Sequence, residues 1–145
     1  MIGVNVKNIS NNPLPEYKTN GASGMDVRAF LQEPIIIKPG ERKLVPTGLF
    51  FDLPENLEIQ VRSRSGLAIN SGIAVLNSPG TVDADYKGEV KVILINLGDK
   101  DFEINNGDRI AQLVFSEVNK VSLKEVELIS SSLRDNNGFG STGIK

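Results

Sequence analysis

The sequence predicts an all-β fold: a jelly-roll-like β-sandwich of short strands, with one short helix and a flexible C-terminal tail. Three observations carry that prediction. About ten short apolar or alternating stretches are punctuated by Gly and Pro turns. Helical periodicity is scarce outside one stretch near Ser65–Asn70. After Ile129 the chain turns polar and Gly-rich, with too little apolar content to pack a core of its own.

The elements follow in order. Ile2–Lys7 alternates like a strand, and Asn11-Asn12-Pro13-Leu14-Pro15 is a loop. Met25–Phe30 is a candidate strand after Gly21 and Gly24, and Pro34–Lys38 is an apolar, β-branched one closed by Pro39-Gly40. Arg42–Val45 and Gly48–Leu53 read as two strands broken by Pro46. Leu57–Arg62 alternates with the period of a half-buried strand. A short helix over Ser65–Asn70 would be capped by Ser63 or Ser65 and ended by Gly72. Glu89–Asn96 sets Val90, Val92 and Leu94 on one face and Lys91, Ile93 and Ile95 on the other. Both faces are largely apolar, as in a central strand. Asp101–Ile104, Arg109–Val118 and Val121–Val126 complete the strands. One domain over residues 1–129 and an arm over 130–145 is the expected organisation.

Composition narrows the chemistry. The 145 residues hold 16 basic and 18 acidic side chains, no His and no Cys. A net charge of -2 gives no global basic footprint for nucleic acid. Without Cys there are no disulfides or thiolate metal sites, and oxygen ligands favour Mg²⁺, Ca²⁺ or Mn²⁺. Without His, a carboxylate is the most plausible general base. The N-terminal residues lack the apolar core of a signal peptide, and no apolar run approaches the ~20 residues of a membrane span. The expectation is a soluble, cytoplasmic protein with no membrane partner.

Five stretches could carry chemistry. Gly80-Thr81-Val82-Asp83-Ala84-Asp85-Tyr86-Lys87-Gly88-Glu89-Val90 places two carboxylates, a tyrosine and two glycines between a turn and a strand. On an extended backbone Asp83 and Asp85 would share a side, favouring a bound cation or a raised pKa on one of them. The ordinary alternative is a solvated hairpin tip. Arg62-Ser63-Arg64-Ser65-Gly66-Leu67-Ala68 offers guanidinium and backbone N–H donors to an oxyanion, or is merely a capped helix start. Asp26 in Ala22–Ala29 could stand near a metal or bond its own backbone. Gln112, an amide inside the apolar strand Arg109–Phe115, needs either a structural partner or a ligand. In the tail, glycines and the hydroxyls of Ser141 and Thr142 suit an anion, Arg134 suits phosphate, and Phe139 suits a nucleobase face. A disordered terminus is the plain alternative.

Taken together in this order, Ala22–Ala29, Arg62–Ala68, Asn77–Glu89, Arg109–Phe115 and Arg134–Gly143 resemble the trimeric, all-β dUTPase family, deoxyuridine 5′-triphosphate nucleotidohydrolases of β-clip fold. The stretches span nearly the whole chain, and together they are far more specific than any one of them. The resemblance implies hydrolysis of dUTP at the α-phosphorus to dUMP and pyrophosphate. That limits uracil in DNA and supplies dUMP for dTMP synthesis. Asp83 takes the place of the catalytic carboxylate, which activates the water and accepts from the sugar 3′-OH. Tyr86 would lie under the deoxyribose and exclude a 2′-OH. Asn77, with the backbone of Thr81, Val82 and Lys91, would line the uracil slot. Arg64, Ser65, Gly66 and Gln112 would hold the phosphates, and Asp26 would stand in the outer shell of Mg²⁺. Phe139 would stack on uracil while Arg134, Gly140, Ser141 and Thr142 reach the γ-phosphate. The resemblance also implies a homotrimer whose active sites are shared between subunits, and makes Asp85 structural.

The chain departs from the family pattern at Asp135 and Asn137, where the tail usually has Gly, and at Asn70-Ser71, where many relatives carry a basic residue. A dCTP deaminase shares the fold, but the relation predicts Pro-Gly-Trp in place of Ala84-Asp85-Tyr86 and no Gly-Phe-Gly tail. A non-catalytic β-sandwich module would explain the strands but not the five motifs in order.

Overall fold

The computed structural model of the chain describes residues 2–133 together with Asp135, Asn136 and Gly138. Among these, β-branched and apolar stretches between turn residues become ten strands, and one short helix interrupts them. In chain order they are β1 Asn5–Asn8, β2 Met25–Arg28, β3 Ile35–Ile37, β4 Arg42–Asp52 and β5 Leu57–Arg62. Helix α1 Ser65–Ser71 follows, then β6 Ile73–Val75, β7 Gly80–Val82, β8 Val90–Asn96, β9 Phe102–Ile104 and β10 Arg109–Glu117. Two four-stranded antiparallel sheets, in the orders β1-β4-β8-β6 and β2-β10-β5-β7, are joined by a small β3-β9 pair. The predicted all-β sandwich is therefore present.

The alternating stretches of the sequence behave as their period requires. In β5, Leu57, Ile59 and Val61 point into the core while Arg62 reaches solvent. In β8, Val90, Val92, Leu94 and Asn96 are buried, and the strand lies between β4 and β6, the central position expected of it. Side chains from both sheets close one core, with Val27, Ile37, Val45, Ile59, Leu94 and Leu113 at its centre. Asn96 tolerates full burial because its amide donates to Ile37 O and Lys100 O and accepts from Gly98 N–H.

Several expectations change. The two strands separated by Pro46 are one strand, β4, whose register against β8 shifts between Pro46 and Leu49. A bulge absorbs the proline that a regular ladder could not. Buried Thr47 pins it: Thr47 Oγ1 donates to Val90 O at 2.6 Å and accepts from Leu49 N–H at 3.2 Å. Neither Ser63 nor Ser65 caps α1, whose N-cap position is Arg64 with no side-chain cap; Ser63 Oγ instead accepts from Val75 N–H. Gly72 does end the helix, with φ of +66°. Strands β6 and β7, three residues each, had no sequence signature. Val121–Val126 forms no strand; it runs exposed after β10, since β-propensity without a partner strand earns no ladder.

Candidate active site

The expected hairpin is a loop instead: β7 pairs with β5 and β8 with β4 and β6, so the segment from Asp83 to Glu89 crosses from one sheet to the other. Tyr86 N–H donates to Asp83 O at 3.1 Å, so Ala84-Asp85 is a turn rather than extended backbone. The expected pairing of Asp83 and Asp85 on one side of a strand is thereby lost. Both carboxylates still border one cavity, but only Asp83 also borders a second. Thr81, Val82, Asp83, Tyr86 and Lys91 line one cavity of about 290 Å³ together with Glu89 and Ile93. Asp85 borders a different cavity, of about 640 Å³, with Leu57, Glu58, Lys87 and Lys120, and Asp83 borders that one also. Asp83 is exposed to solvent at the junction of the two. Asn77 lies at the opposite end of β7, its amide nitrogen 3.1 Å from where a Cβ on Gly80 would stand.

Local bonds hold this loop. Tyr86 Oη donates to Glu89 O at 2.9 Å. Glu89 Oε1 accepts from Gly48 N–H in the β4 bulge at 2.9 Å, and Oε2 lies 3.6 Å from Lys91 Nζ. Lys87 Nζ donates to Ala84 O and to Asp52 Oδ1 at 2.9 and 2.7 Å, tying the turn to β4. The Lys87 hydrogen bond first, and its charge second, hold the Asp52 carboxyl below its ordinary value.

A second constellation gathers where β2, β10 and the end of β5 meet. Asp26 accepts from Arg64 Nε and from an Arg109 guanidinium nitrogen, each at 3.0 Å. Arg64 also donates to Arg109 O, and Gln112 Nε2 donates to Ser63 O at 2.9 Å. Register puts Gln112 opposite both Asp26 and Arg62. Gly24 makes room for Gln112, because a Cβ there would fall 2.4 Å from the amide oxygen. Ser65 and Gly66 open α1 and are exposed. Two cations on one carboxylate leave the cluster net positive, and guanidinium forks match phosphate oxygens. Asp26 is the acidic member of this cluster, and its oxygens retain lone pairs for water around a cation. Among the described residues no group of three or more His, Cys, Asp or Glu side chains converges as metal ligands.

These two constellations do not meet within one chain. Val82 pairs with Ile59, whereas Gln112 pairs with Arg62, three residues further along β5, which at ~3.3 Å per residue is roughly 10 Å. Asp83 and Arg64 then diverge further, in opposite directions. Arg134, Phe139, Gly140, Ser141 and Thr142 lie outside the described residues. Asp135, at a position where Gly was expected, has φ of +41°, in the left-handed region that favours Gly. Reading the sequence missed Arg109 as a partner of Asp26, and missed Gly24, Gly88 and Glu89 as supports. No local signal identifies contacts made across sheet neighbours.

The family model described as dUTPase matches residues 10–143. The deoxyuridine 5′-triphosphate nucleotidohydrolase of Cytophaga hutchinsonii is 56% identical over 140 residues, covering 97% of this chain and 91% of the relative. Among solved structures, a glycine-to-serine mutant of the Staphylococcus bacteriophage 80alpha dUTPase with dUpNHpp matches at a TM-score of 0.85. It is 25% identical and covers 99% of this chain and 100% of its own. An aspartate-to-asparagine mutant of the dUTPase from phage phi11 of S. aureus, described as coordinating a structural Mg(II) ion, shares the fold. Its TM-score is 0.79 at 22% identity, covering 88% of this chain and 98% of its own.

Proposed function

Because the chain belongs to the dUTPase family and is a dUTP diphosphatase, we propose that Asp83 activates the water that splits dUTP into dUMP and pyrophosphate. The observation that carries this is the position of Asp83, exposed at the edge of the cavity that Tyr86 also lines. A carboxylate there can take a proton from water as the oxygen attacks the α-phosphorus. The new P–O bond forms as the bond to the pyrophosphate oxygen breaks, and pyrophosphate leaves with the electron pair. The same carboxylate accepts from the sugar 3′-OH and so fixes the nucleoside relative to the water.

The remaining roles carry over from the family resemblance. Tyr86 packs beneath the deoxyribose and leaves no room for a 2′-OH. Asn77 and the backbone of Thr81, Val82 and Lys91 read uracil, whose hydrogen-bonding groups at position 4 oppose those of cytosine. Arg64, Ser65, Gly66 and Gln112 bind the phosphates. Asp26 orients Arg64 and would stand in the outer shell of a Mg²⁺, which would neutralise phosphate charge. Arg134, Phe139, Gly140, Ser141 and Thr142 close over the nucleotide and exclude bulk water.

The separation of the two constellations within one chain supports a homotrimer with shared sites, since a second copy brings Arg64 and its neighbours to Asp83. Exposed Leu44, Ile69 and Leu97 supply apolar surface for such contacts. The proposed setting is the cytoplasm, where the enzyme removes dUTP before it enters DNA and provides dUMP for dTMP synthesis. Among the described residues no helix is long and apolar enough to cross a membrane. Incubation with dUTP, dCTP and UTP plus Mg²⁺, following pyrophosphate and ammonia, tests the assignment. Pyrophosphate from dUTP alone is expected; ammonia from dCTP, or no turnover, would overturn it.

A further inference from the structure

We infer that Gly88 is a positioning residue for sugar selection: its missing Cβ is what lets the Tyr86 ring lie where it meets the substrate. A Cβ at Gly88 would fall 2.5 Å from Tyr86 Oη, 2.6 Å from Cζ and 3.0 Å from Cε2. The ring therefore rests directly on the Gly88 backbone. Gly88 has no left-handed φ that would itself call for glycine, so close approach is the reason for it here. The ring is not free to slide away without loss, because Tyr86 Oη donates to Glu89 O, one residue beyond. Glu89 is in turn tied to Gly48 N–H in the β4 bulge. Ring, glycine and glutamate thus form a short buckle whose far end is anchored in the neighbouring strand. Tyr86 remains 47% exposed, so the buckle fixes the ring without hiding it from the cavity.

The consequence rests on the proposed role of Tyr86 at the sugar. A methyl group at Gly88 must push the ring off its hydroxyl anchor. The wall that excludes a 2′-OH then moves by about the size of a methyl group. Gly88→Ala should lower the ratio of kcat/KM for dUTP to that for UTP by roughly tenfold or more, since a misfit of one methylene is worth ~10–200-fold in discrimination. A purely structural defect lowers both substrates in parallel and leaves the ratio alone. In a Tyr86→Ala background the same substitution should change the ratio little, because the ring it acts through is gone. An unchanged ratio in Gly88→Ala, or an equal further loss in the Tyr86→Ala background, overturns the inference. If Gly88→Ala does not fold, Tyr86→Phe decides: loss of the hydroxyl anchor should lower the ratio, and a wild-type ratio sinks the buckle. Should Tyr86→Ala itself retain full discrimination, the sugar role of Tyr86 fails instead, which is a distinct result.

Discussion

Asp83 borders two cavities and Asp85 only one of them, and that difference separates two residues that look equivalent in sequence. Replacing the carboxylate by an amide keeps the shape but removes the proton acceptor. Asp83→Asn should cost ~10²–10⁴-fold in kcat, the usual share of a general base, while dUpNHpp binding by calorimetry stays close to wild type. Asp85→Asn should leave kcat near wild type; a comparable loss there would reverse the assignment. Lys87 offers a pH test beside the site. It lowers the folded value of the Asp52 carboxyl, so the pair adds stability above the ordinary carboxylate range and loses it as pH falls through the folded value. Both side chains are more than half exposed, which screens the gain. Lys87→Met should move the Asp52 titration up to its ordinary range by NMR while shifting Tm little.

Strands β5 and β8 are long enough to declare their period, and their buried faces fall where alternation puts them. Strands β6 and β7 are too short for any period, so only their pairing to β8 and β5 defines them. The bulge of β4 is a tertiary decision too: Thr47 and Glu89 stitch it to the start of β8, and the same stitch supports the loop that carries Asp83 and Tyr86. Thr47→Val keeps the shape but removes both hydrogen bonds at a buried site. It should cost ~1–3 kcal/mol in urea unfolding, and a cost near zero would show that water replaces them. Gly72 illustrates a backbone limit. Its φ of +66° and a Cβ contact of 2.4 Å to Gly98 N leave no room for a side chain. Gly72→Ala should destabilise by more than the ~1–2 kcal/mol of left-handed strain alone, read as a fall in Tm.

On the scale of the molecule, the sheets bury a full core, yet Val121, Leu123, Leu128 and Ile129 after β10 stay exposed. In the proposed trimer, neighbouring copies would cover such side chains and complete the proposed site. Sedimentation should return a trimer mass, and a monomer would contradict shared sites. Mixing inactive Asp83→Asn and Arg64→Gln chains should restore part of the activity, since some sites then draw an intact residue from each; no restoration would mean each chain completes its own site. The sequence by itself determined the all-β class, the central strand, the helix end at Gly72 and the residues that could bear charge or protons. Those follow from side-chain period, backbone freedom and functional-group chemistry, all of which are local. Only the tertiary structure decided that Asp26 binds two arginines, that Asp83 borders a second cavity which Asp85 does not, and that a glycine carries the Tyr86 ring. Those depend on which strands lie side by side and how the chain turns between them, and contacts across a sheet leave no mark on neighbouring residues in sequence.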